Sequence, residues 1–466
     1  MGMRNWACRE LSNMRGINPS FIRALNIIYK SFGDNLNNKK HKAESYVSKN
    51  YSLSKVIHQT PTLLKLESGI DLLVLQNKKT PLFSLRTVSA GGIRYEDKSK
   101  NGKFSLLSEL FERGSKSFSK DELAMKTELL ASDIEGYSGR NTVGLKVLGP
   151  SANLVELTEI FSDVICNPLF LQDELEIVKH DTMSYLNRKK QNYAALAADK
   201  FYEILFPNHP YSLNQYGTEE SLKNISSVDI IDTYKNFLGS DNLLISAVGN
   251  FNIENLIKNL NNTINLSKSN DIKKEISFNP IQEDKLFQTK LGDKQQSHIM
   301  IGTYAPSMES DDQYAFQVMN SCLSGMGGRL FLELRDKKSL AYTVSSFYSP
   351  TPSIGHFGIY IGCSPEKKDE SINAINKEID KLIANGITSN EIERSKNYLI
   401  GRNDISLQRN ASINARISQG FFFGLGLDEP FKFSSRIRNI NLNDVNDVIE
   451  KYLRDAKKVI VVYEPS

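Results

Sequence analysis

The sequence contains an internal repeat, in which one order of predicted strands and helices occurs twice. The first copy covers roughly residues 61–268 and the second roughly residues 278–466. Each copy opens on alternating apolar segments typical of strands, continues through helical and strand patterns, and closes on a β-branched run. We therefore expect two similar domains, which also suits a length of 466 residues.

The predicted elements of the two copies follow the same order. In the first copy, the predicted strands are residues 70–75, 82–88, 144–148 and 242–248, and the predicted helices are residues 104–113 and 154–164. In the second copy, the predicted strands are residues 298–304, 355–362 and 458–463, and the predicted helices are residues 311–323 and 372–384. A further long helix follows in each copy, and in the second it is predicted to begin with a capping box of Thr388 and Glu391. The interleaved pattern predicts an α+β fold of two tandem homologous domains, each a mixed β-sheet with helices packed on one face.

Composition shifts give the expected boundaries. Residues 1–55 form a basic leader or linker, residues 56–268 the first domain, residues 269–286 a polar linker and residues 287–466 the second domain. Residues 1–43 carry a net charge of +6, which indicates a transit peptide or, alternatively, a poorly ordered leader or the join to a preceding domain. The whole chain has a net charge of +4, so the remainder is near neutral at −2 and a nucleic-acid-binding body is not indicated.

Cysteine and histidine spacing excludes several kinds of site. The four cysteines have no paired spacing, which argues against a disulfide framework or a cysteine-based zinc site. No two of the six histidines lie within five residues of each other, which excludes a local two-histidine metal motif. No apolar run reaches the roughly 18 residues that would predict a membrane span.

The segment from Gly91 to Ser115, with Tyr95-Glu96, Asn101-Gly102 and Arg113-Gly114-Ser115, resembles the M16 (insulinase, or pitrilysin-like) metallopeptidases. In that family a comparable segment leads into a helix bearing H-x-x-E-H, whose two histidines bind zinc while the glutamate activates the bound water. The resemblance covers roughly residues 55–466 and implies a LuxS/MPP-like metallohydrolase fold.

This chain departs from the family at the metal motif. The motif positions hold Ser105, Ser108 and Glu109, and the distal zinc-ligand position holds Tyr185. The position of a second acidic helper holds Val178. One glutamate cannot hold zinc, which needs about three protein ligands, so we expect no metal in this chain. A site rebuilt from residues 109, 112 and 180 is the disfavoured alternative to ordinary helix-surface residues.

The second copy keeps its motif. The segment from Gly325 through Arg329-Leu-Phe to Tyr342 resembles the family pattern in which an arginine and a tyrosine, seven residues apart, reach the substrate from the non-zinc half. The resemblance assigns these roles to Arg335 and Tyr342. Arginine offers a fixed fork for a carbonyl or carboxylate, and a tyrosine hydroxyl can donate to a developing oxyanion. The plain structural alternative is an arginine that caps a helix and a tyrosine that opens a strand.

Two further regions are candidate substrate contacts. The glycines Gly325, Gly327 and Gly328 lack the spacing of either phosphate-binding loop motif, so nucleotide binding is rejected in favour of a flexible turn that touches substrate. Arg140 and Asn141 lie where active family members pair an edge strand with an extended peptide. His209, in Pro207-Asn-His-Pro-Tyr211, is interpreted as a structural residue and not as a metal ligand.

Taken together, the resemblance is to M16B-type subunits with a degenerate zinc motif, such as bacterial partner subunits and, more distantly, mitochondrial processing peptidase subunits. It implies a heterodimer in which a partner carries H-x-x-E-H and zinc, a polypeptide substrate, and no activity of this chain alone. The alternative is a catalytically inactive structural or assembly protein with the same fold. The expected compartment is cytoplasmic in a bacterium, or organellar if the leader is a transit peptide.

Overall fold

A computed structural model of the chain describes residues 60–269, 276, 278–292 and 295–466. The predicted leader over residues 1–55 lies outside these ranges, as do residues 270–275 and 277 of the predicted linker. No helix in the described ranges combines the length and the apolar character that a membrane crossing requires. The first strand of the second half begins at Lys285, and the domain boundaries given above stay a prediction.

The first half is built on a six-stranded mixed sheet in the order β1-β2-β6-β3-β5-β4. Only the β2–β6 pair is parallel, and the other neighbouring pairs run antiparallel. Its strands are β1 (Thr62–Lys65), β2 (Asp71–Gln76), β3 (Leu82–Ala90), β4 (Asp133–Ser138), β5 (Thr142–Pro150) and β6 (Leu243–Gly249).

The second half repeats that topology in a five-stranded sheet of order β7-β11-β8-β10-β9. Its one parallel pair, β7–β11, corresponds to β2–β6, and each further neighbour has a counterpart with the same direction. Its strands are β7 (Lys285–Lys290), β8 (Ser297–Ala305), β9 (Ala341–Ser349), β10 (Gly355–Cys363) and β11 (Val459–Glu464). The α+β fold with two homologous domains is thereby confirmed, and only β1 lacks a counterpart among the described strands.

The helices follow the predicted order. In the first half they are α1 (Lys103–Leu110), α2 (Lys120–Leu129), α3 (Leu154–Cys166), α4 (Gln172–Lys189), α5 (Tyr193–Leu205), α6 (Glu219–Lys223), α7 (Ser227–Phe237) and α8 (Ile253–Thr263). In the second half they are α9 (Asp312–Leu323), α10 (Lys368–Asn385), α11 (Ser389–Ser406), α12 (Asn410–Phe422), α13 (Glu429–Asn439) and α14 (Leu442–Leu453). The capping box of Thr388 and Glu391 is present at the start of α11.

Each half also lends one helix to the other half's sheet. Helix α5 packs on β8 and β11 of the second sheet, and α12 packs on β3 and β6 of the first. The sequence predicted helices on one face of each sheet, and this exchange covers part of the second face as well. The two cores are therefore joined through a pair of reciprocal contacts.

Candidate functional site

The site region of the first half begins with a buried carboxylate that holds the start of α1. Glu96 accepts hydrogen bonds from Asn101 Nδ2 at 2.6 Å, from the Gly102 amide at 2.8 Å and from the Phe104 amide at 2.9 Å. Burial raises the pKa of the Glu96 carboxyl although these three donors oppose the rise. The sequence showed this glutamate only as part of a motif. In the structure, its carboxylate accepts hydrogen bonds from backbone N–H groups at the start of α1, which have no partner within the helix.

The two serines in the former metal motif are packed into the interior. Ser105 and Ser108 are both buried on α1, and the Ser108 hydroxyl donates to the Ser105 carbonyl at 2.8 Å. Strand β4 presses directly on this turn of the helix, since a Cβ added to Gly136 would lie 1.8 Å from the Ser108 carbonyl oxygen.

The other degenerate positions are held by different contacts. The ring of Tyr185, on α4, meets the ring of Tyr216 edge-on with centroids 4.9 Å apart. Burial raises the pKa of the Glu109 carboxyl, an effect that Arg113 opposes and Asp181 reinforces. Val178 is fully buried in the core. These positions therefore form helix packing and a local charge cluster.

A rebuilt metal site is not assembled in the described part of the chain. Within it, no three His, Cys, Asp or Glu side chains form a group that could hold a metal ion. Glu112 accepts a hydrogen bond from the Gly136 amide at 3.1 Å, and His180 stands in solvent beside Asp181. Hydroxyl, phenol and single-carboxylate donors at the motif positions do not fit zinc.

In the second half, Arg335 and Tyr342 come together on two backbone irregularities. Arg335 lies in a π-helical turn, Phe331–Lys337, and Tyr342 is the extra residue of a β-bulge, because Gly362 pairs with Thr343 and Cys363 with Ala341. Between them Ser339 adopts a positive φ of 51°. Such π-turns, bulges and strained residues recur at functional sites, where they redirect side chains.

The resulting pair is open to solvent. The Arg335 guanidinium lies 5.0 Å from the centroid of the Tyr342 ring and 4.6 Å from that of Phe331. Tyr342 is 76% exposed, and Arg335 forms no ion pair with any residue that the structure describes. Because two aromatic rings lie near the guanidinium and no described carboxylate pairs with it, its N–H groups remain available for an incoming acceptor.

The glycine run is a tight turn that leads into this π-helical segment. The Gly328 amide donates to the Gly325 carbonyl at 2.9 Å, and Gly325 has a positive φ of 77°. A Cβ at Gly328 would lie 2.3 Å from the Ser324 carbonyl oxygen, so only glycine fits there. Gly327 is exposed and approaches Arg394. A substrate-binding role of these glycines stays a prediction.

Arg329, next in the motif, has a structural partner that the sequence did not reveal. Its Nε donates to Glu391 at 2.5 Å and its Nη2 to the Gly386 carbonyl at 2.9 Å. The Arg329 guanidinium and the Thr388 cap lower the pKa of the Glu391 carboxyl to about 2, although burial alone would raise it. This link fixes the glycine turn to the start of α11.

Arg140 and Asn141 are engaged within the chain. The Arg140 guanidinium lies 4.1 Å from the centroid of the Tyr202 ring and donates to the Tyr211 carbonyl at 3.3 Å. Asn141 accepts a hydrogen bond from the Tyr211 hydroxyl. His209 is buried and caps the next turn through Nδ1, which accepts from the Tyr211 amide at 3.1 Å. Substrate contact by residues 140 and 141 stays a prediction, and it would have to compete with these internal contacts.

The structure thus places the two sets of site residues on separate halves. Ser105, Ser108, Glu109 and Tyr185 gather around α1 and α4, whereas Arg335 and Tyr342 gather at the edge strand β9. No hydrogen bond, ion pair or ring contact between described residues joins the two groups. One chain therefore presents an open Arg–Tyr pair without a metal-binding group beside it.

Two family models match the chain. The model described as "Insulinase (Peptidase family M16)" matches residues 72–219, and the model described as "Peptidase M16 inactive domain" matches residues 224–399. Together they span most of the described residues and divide between the two halves.

Proteins similar to this chain include one named as a non-peptidase and one named as a peptidase subunit. A protein of Helicobacter pylori called "Non-peptidase homolog YmxG" is 24% identical over 396 residues, which cover 83% of this chain and 90% of that protein. The bovine mitochondrial-processing peptidase subunit beta is 21% identical over 386 residues, covering 80% and 78%. A crystal structure of a peptidase M16 inactive domain from Pseudomonas fluorescens superposes with a TM-score of 0.80 at 21% identity, covering 88% and 98%.

Proposed function

This chain belongs to peptidase family M16, and from that premise we propose that it is the non-zinc subunit of an M16-type zinc metalloendopeptidase. It supplies substrate-binding and transition-state residues to a partner that carries H-x-x-E-H. The substrate is a polypeptide, and zinc belongs to the partner. Arg335 and Tyr342 assist the partner's site from this chain.

The observation that carries the proposal is the open Arg335–Tyr342 pair. A π-turn and a β-bulge direct the two side chains to one place, where the guanidinium lies 5.0 Å from the ring centroid and has no carboxylate partner among the described residues. Arginine in this state binds a peptide carbonyl or carboxylate through its planar fork. The neighbouring phenol is positioned to donate a hydrogen bond to a negatively charged oxygen.

The first half supports the assignment of zinc to a partner. Its motif positions hold buried serine hydroxyls and a tyrosine engaged with another ring, which do not fit zinc. A chain with one working set of residues needs the complementary set from elsewhere. An M16 partner with an intact metal motif meets that need.

The alternative is an inactive structural or assembly protein with an M16 fold. The specific observation that favours it is the relative from Helicobacter pylori, whose name describes a non-peptidase. The two functions differ in what they require of Arg335 and Tyr342, because an assembly role needs neither an unpaired guanidinium nor an exposed phenol.

The test is to purify the full chain alone and together with the H-x-x-E-H protein of the same organism, and to measure peptide hydrolysis. We expect zinc-dependent cleavage by the pair and none by this chain alone. Arg335→Gln or Tyr342→Phe should lower kcat of the pair by about 10²–10³-fold, the usual effect of losing a transition-state donor. Tyr398→Phe, at an exposed position of α11, is the matched control.

Two outcomes would contradict this proposal. Zinc-dependent cleavage by this chain alone would show a metal site of its own. Unchanged kcat in a double Arg335→Gln/Tyr342→Phe variant of the active pair would favour the assembly role.

A further inference from the structure

Arg86 is a buried cation without a counter-ion. It lies on β3 and is only 8% exposed, yet it forms no ion pair with any residue in the described ranges, and the side chain to which it is hydrogen-bonded, Tyr137, is neutral. Its Nε is enclosed and has no partner. Buried arginines are normally paired, because an uncompensated charge removed from water costs several kcal/mol.

The surroundings of Arg86 do not neutralise it. Across the sheet its direct neighbours are Ser246 on β6 and Lys146 on β5. Lys146 already has a partner, since its Nζ lies 2.7 Å from the Glu135 carboxylate. Two cations therefore share one carboxylate, and a single positive charge is left over in this row of residues.

An aromatic ring holds the guanidinium in place. The Arg86 Cζ lies 4.3 Å from the centroid of the Tyr137 ring, and the Tyr137 hydroxyl is anchored to the Thr87 carbonyl at 2.7 Å. Gly144 lies between them in β5, and a Cβ there would reach 2.9 Å from the Tyr137 hydroxyl. A cation–π contact and a hydrogen bond to a neutral phenol offset only part of the cost of an unpaired buried charge, and the Arg86 Nε stays without a partner.

The space next to Arg86 is polar. Ser246 Oγ is buried without a partner, and so is Asn414 Oδ1 on the overlying helix α12. Asn414 is fixed there because its Nδ2 donates to the Ser84 and Ser246 carbonyls at 2.8 and 3.0 Å. Toward solvent, Lys146 and the 38% exposed Leu148 lie on the same face of β5. The face of the sheet beside α12 therefore carries the Arg86 charge next to the Tyr137 ring.

We propose that Arg86 is the receptor for a carboxylate of a bound polypeptide, which enters beside Tyr137 and Lys146. That the ligand is a polypeptide rests on the proposed function, and the carboxylate requirement comes from the charges. The local excess is one positive charge, which a singly charged carboxylate balances and a phosphate dianion would exceed. The planar guanidinium fork matches a carboxylate in geometry as well.

The carboxylate has two possible sources in a polypeptide, the C-terminus and an acidic side chain. A fluorescently labelled peptide series on the full-length chain separates them by anisotropy. One peptide carries a single Glu with a blocked C-terminus, a second replaces that Glu by Gln, and a third has the Gln and a free C-terminus. We expect the Gln peptide with the blocked end to bind about 10- to 100-fold more weakly than at least one carboxylate peptide.

Arg86→Gln should abolish the preference for carboxylate peptides and leave the affinity for the Gln peptide with the blocked end unchanged. Because the variant removes an unpaired buried charge, its unfolding midpoint should equal or exceed that of the wild type, which a merely structural arginine would not do. Arg402→Gln, which removes an exposed arginine from α11, controls for the loss of one positive charge.

The wild-type series alone decides the matter if Arg86→Gln fails to fold. Equal affinity for all three peptides, or no binding of any, would overturn the assignment of Arg86. Neither result depends on the partner or on hydrolysis, so the proposed subunit role would stand or fall separately on the reconstituted peptidase assay. Tighter binding of inorganic phosphate than of either carboxylate peptide would also overturn it.

Discussion

The two halves of this chain share one strand order, yet they treat their functional positions in opposite ways. In the first half, Ser105 and Ser108 are closed under β4, which approaches so tightly that a Cβ at Gly136 would meet the helix backbone. In the second, a π-turn and a bulge bring Arg335 and Tyr342 out to solvent. The strand order is therefore not what exposes the functional side chains in one half and buries them in the other; the local backbone irregularities are.

The exchanged helices differ in the same manner. Helix α5 covers the second sheet with aromatic side chains, among them Phe201, whose ring meets that of Phe347, and Tyr202, whose ring meets that of His356. Helix α12 is fastened to the first sheet by amides, with Asn410 and Asn414 donating to strand carbonyls. The α12 contact also buries Ile413 and Ile417 against the first sheet, so it combines apolar burial with hydrogen bonds. Since a buried histidine lies in the α5 contact, the two contacts should respond differently to pH.

The largest effect of a mutation on stability is expected where α5 packs on the second sheet, which we call the aromatic contact. Phe201 is completely buried between α5 and the second sheet. Phe201→Ala removes a large side chain and leaves a cavity, which should lower the free energy of unfolding by about 3–5 kcal/mol. Urea unfolding of the full chain followed by circular dichroism measures it.

Tyr398→Ala is the control for Phe201→Ala, because Tyr398 is an exposed aromatic residue on α11. It should change the unfolding free energy by less than about 0.5 kcal/mol. A loss below about 1.5 kcal/mol in Phe201→Ala would mean that α5 does not hold the halves together as packed here.

A smaller loss of stability is expected where Asn410 and Asn414 of α12 bind the first sheet, which we call the amide contact. Asn414→Ala removes the donor that reaches the Ser84 and Ser246 carbonyls from a buried position. Leaving buried groups short of a partner costs about 1–3 kcal/mol, again measured by urea unfolding. Asn397→Ala, at an exposed position of α11, should be close to neutral. Equal losses in both variants would show that the hydrogen bonds of Asn414 contribute nothing specific.

Much of this architecture was readable from the sequence, because strands and helices follow local periodicity. The helix over α3, for example, and the capping box at Thr388 were predicted from neighbouring residues alone and are confirmed. The exchange of α5 and α12 was not, since its contacts join residues far apart in the chain, such as Asn414 and Ser84, separated by 330 positions. No periodicity within one segment records which distant sheet a helix will cover.

The candidate site, like the fold, was predictable from the sequence only in part. The residues Arg335 and Tyr342 could be found from the motif, but their geometry could not, because a π-turn and a one-residue bulge are too short to leave a periodic pattern. The Arg329–Glu391 link was missed for another reason. Arginine and glutamate are common on helix surfaces, so only their meeting in space shows that they pair.

The aromatic contact should also be sensitive to acid, whereas the amide contact should not. Burial, together with Arg140, lowers the pKa of His356 to about 3, and its Nε2 lies 3.0 Å from the Tyr202 hydroxyl. Between about pH 6.5 and 3 the unfolded chain binds a proton that the folded chain excludes, so stability falls as the pH falls through that window. The limiting slope is about 1.4 kcal/mol per pH unit.

His356→Gln should therefore flatten the dependence of unfolding free energy on pH between 6.5 and 5, relative to the wild type. His209, whose pKa burial lowers to about 4, adds to the same slope, so His209→Gln should flatten it further. Denaturant titrations at three pH values suffice to compare the curves. Parallel curves for the wild type and His356→Gln would refute the assignment of this acid sensitivity to the contact between α5 and β10.

The smallest expected effect is the difference in stability between variants of two tyrosines, Tyr185 in the first half and Tyr342 in the second. Tyr185 shares an edge-on ring contact with Tyr216, whereas Tyr342 stands in solvent against Arg335. Tyr185→Ala should cost about 0.5–1.5 kcal/mol of unfolding free energy, the usual worth of an aromatic pair, and Tyr342→Ala less than about 0.5 kcal/mol. If thermal unfolding instead showed Tyr342 to be the more stabilising of the two, its exposure on the bulge would serve the fold, and the case for a side chain kept free for an incoming substrate would fail.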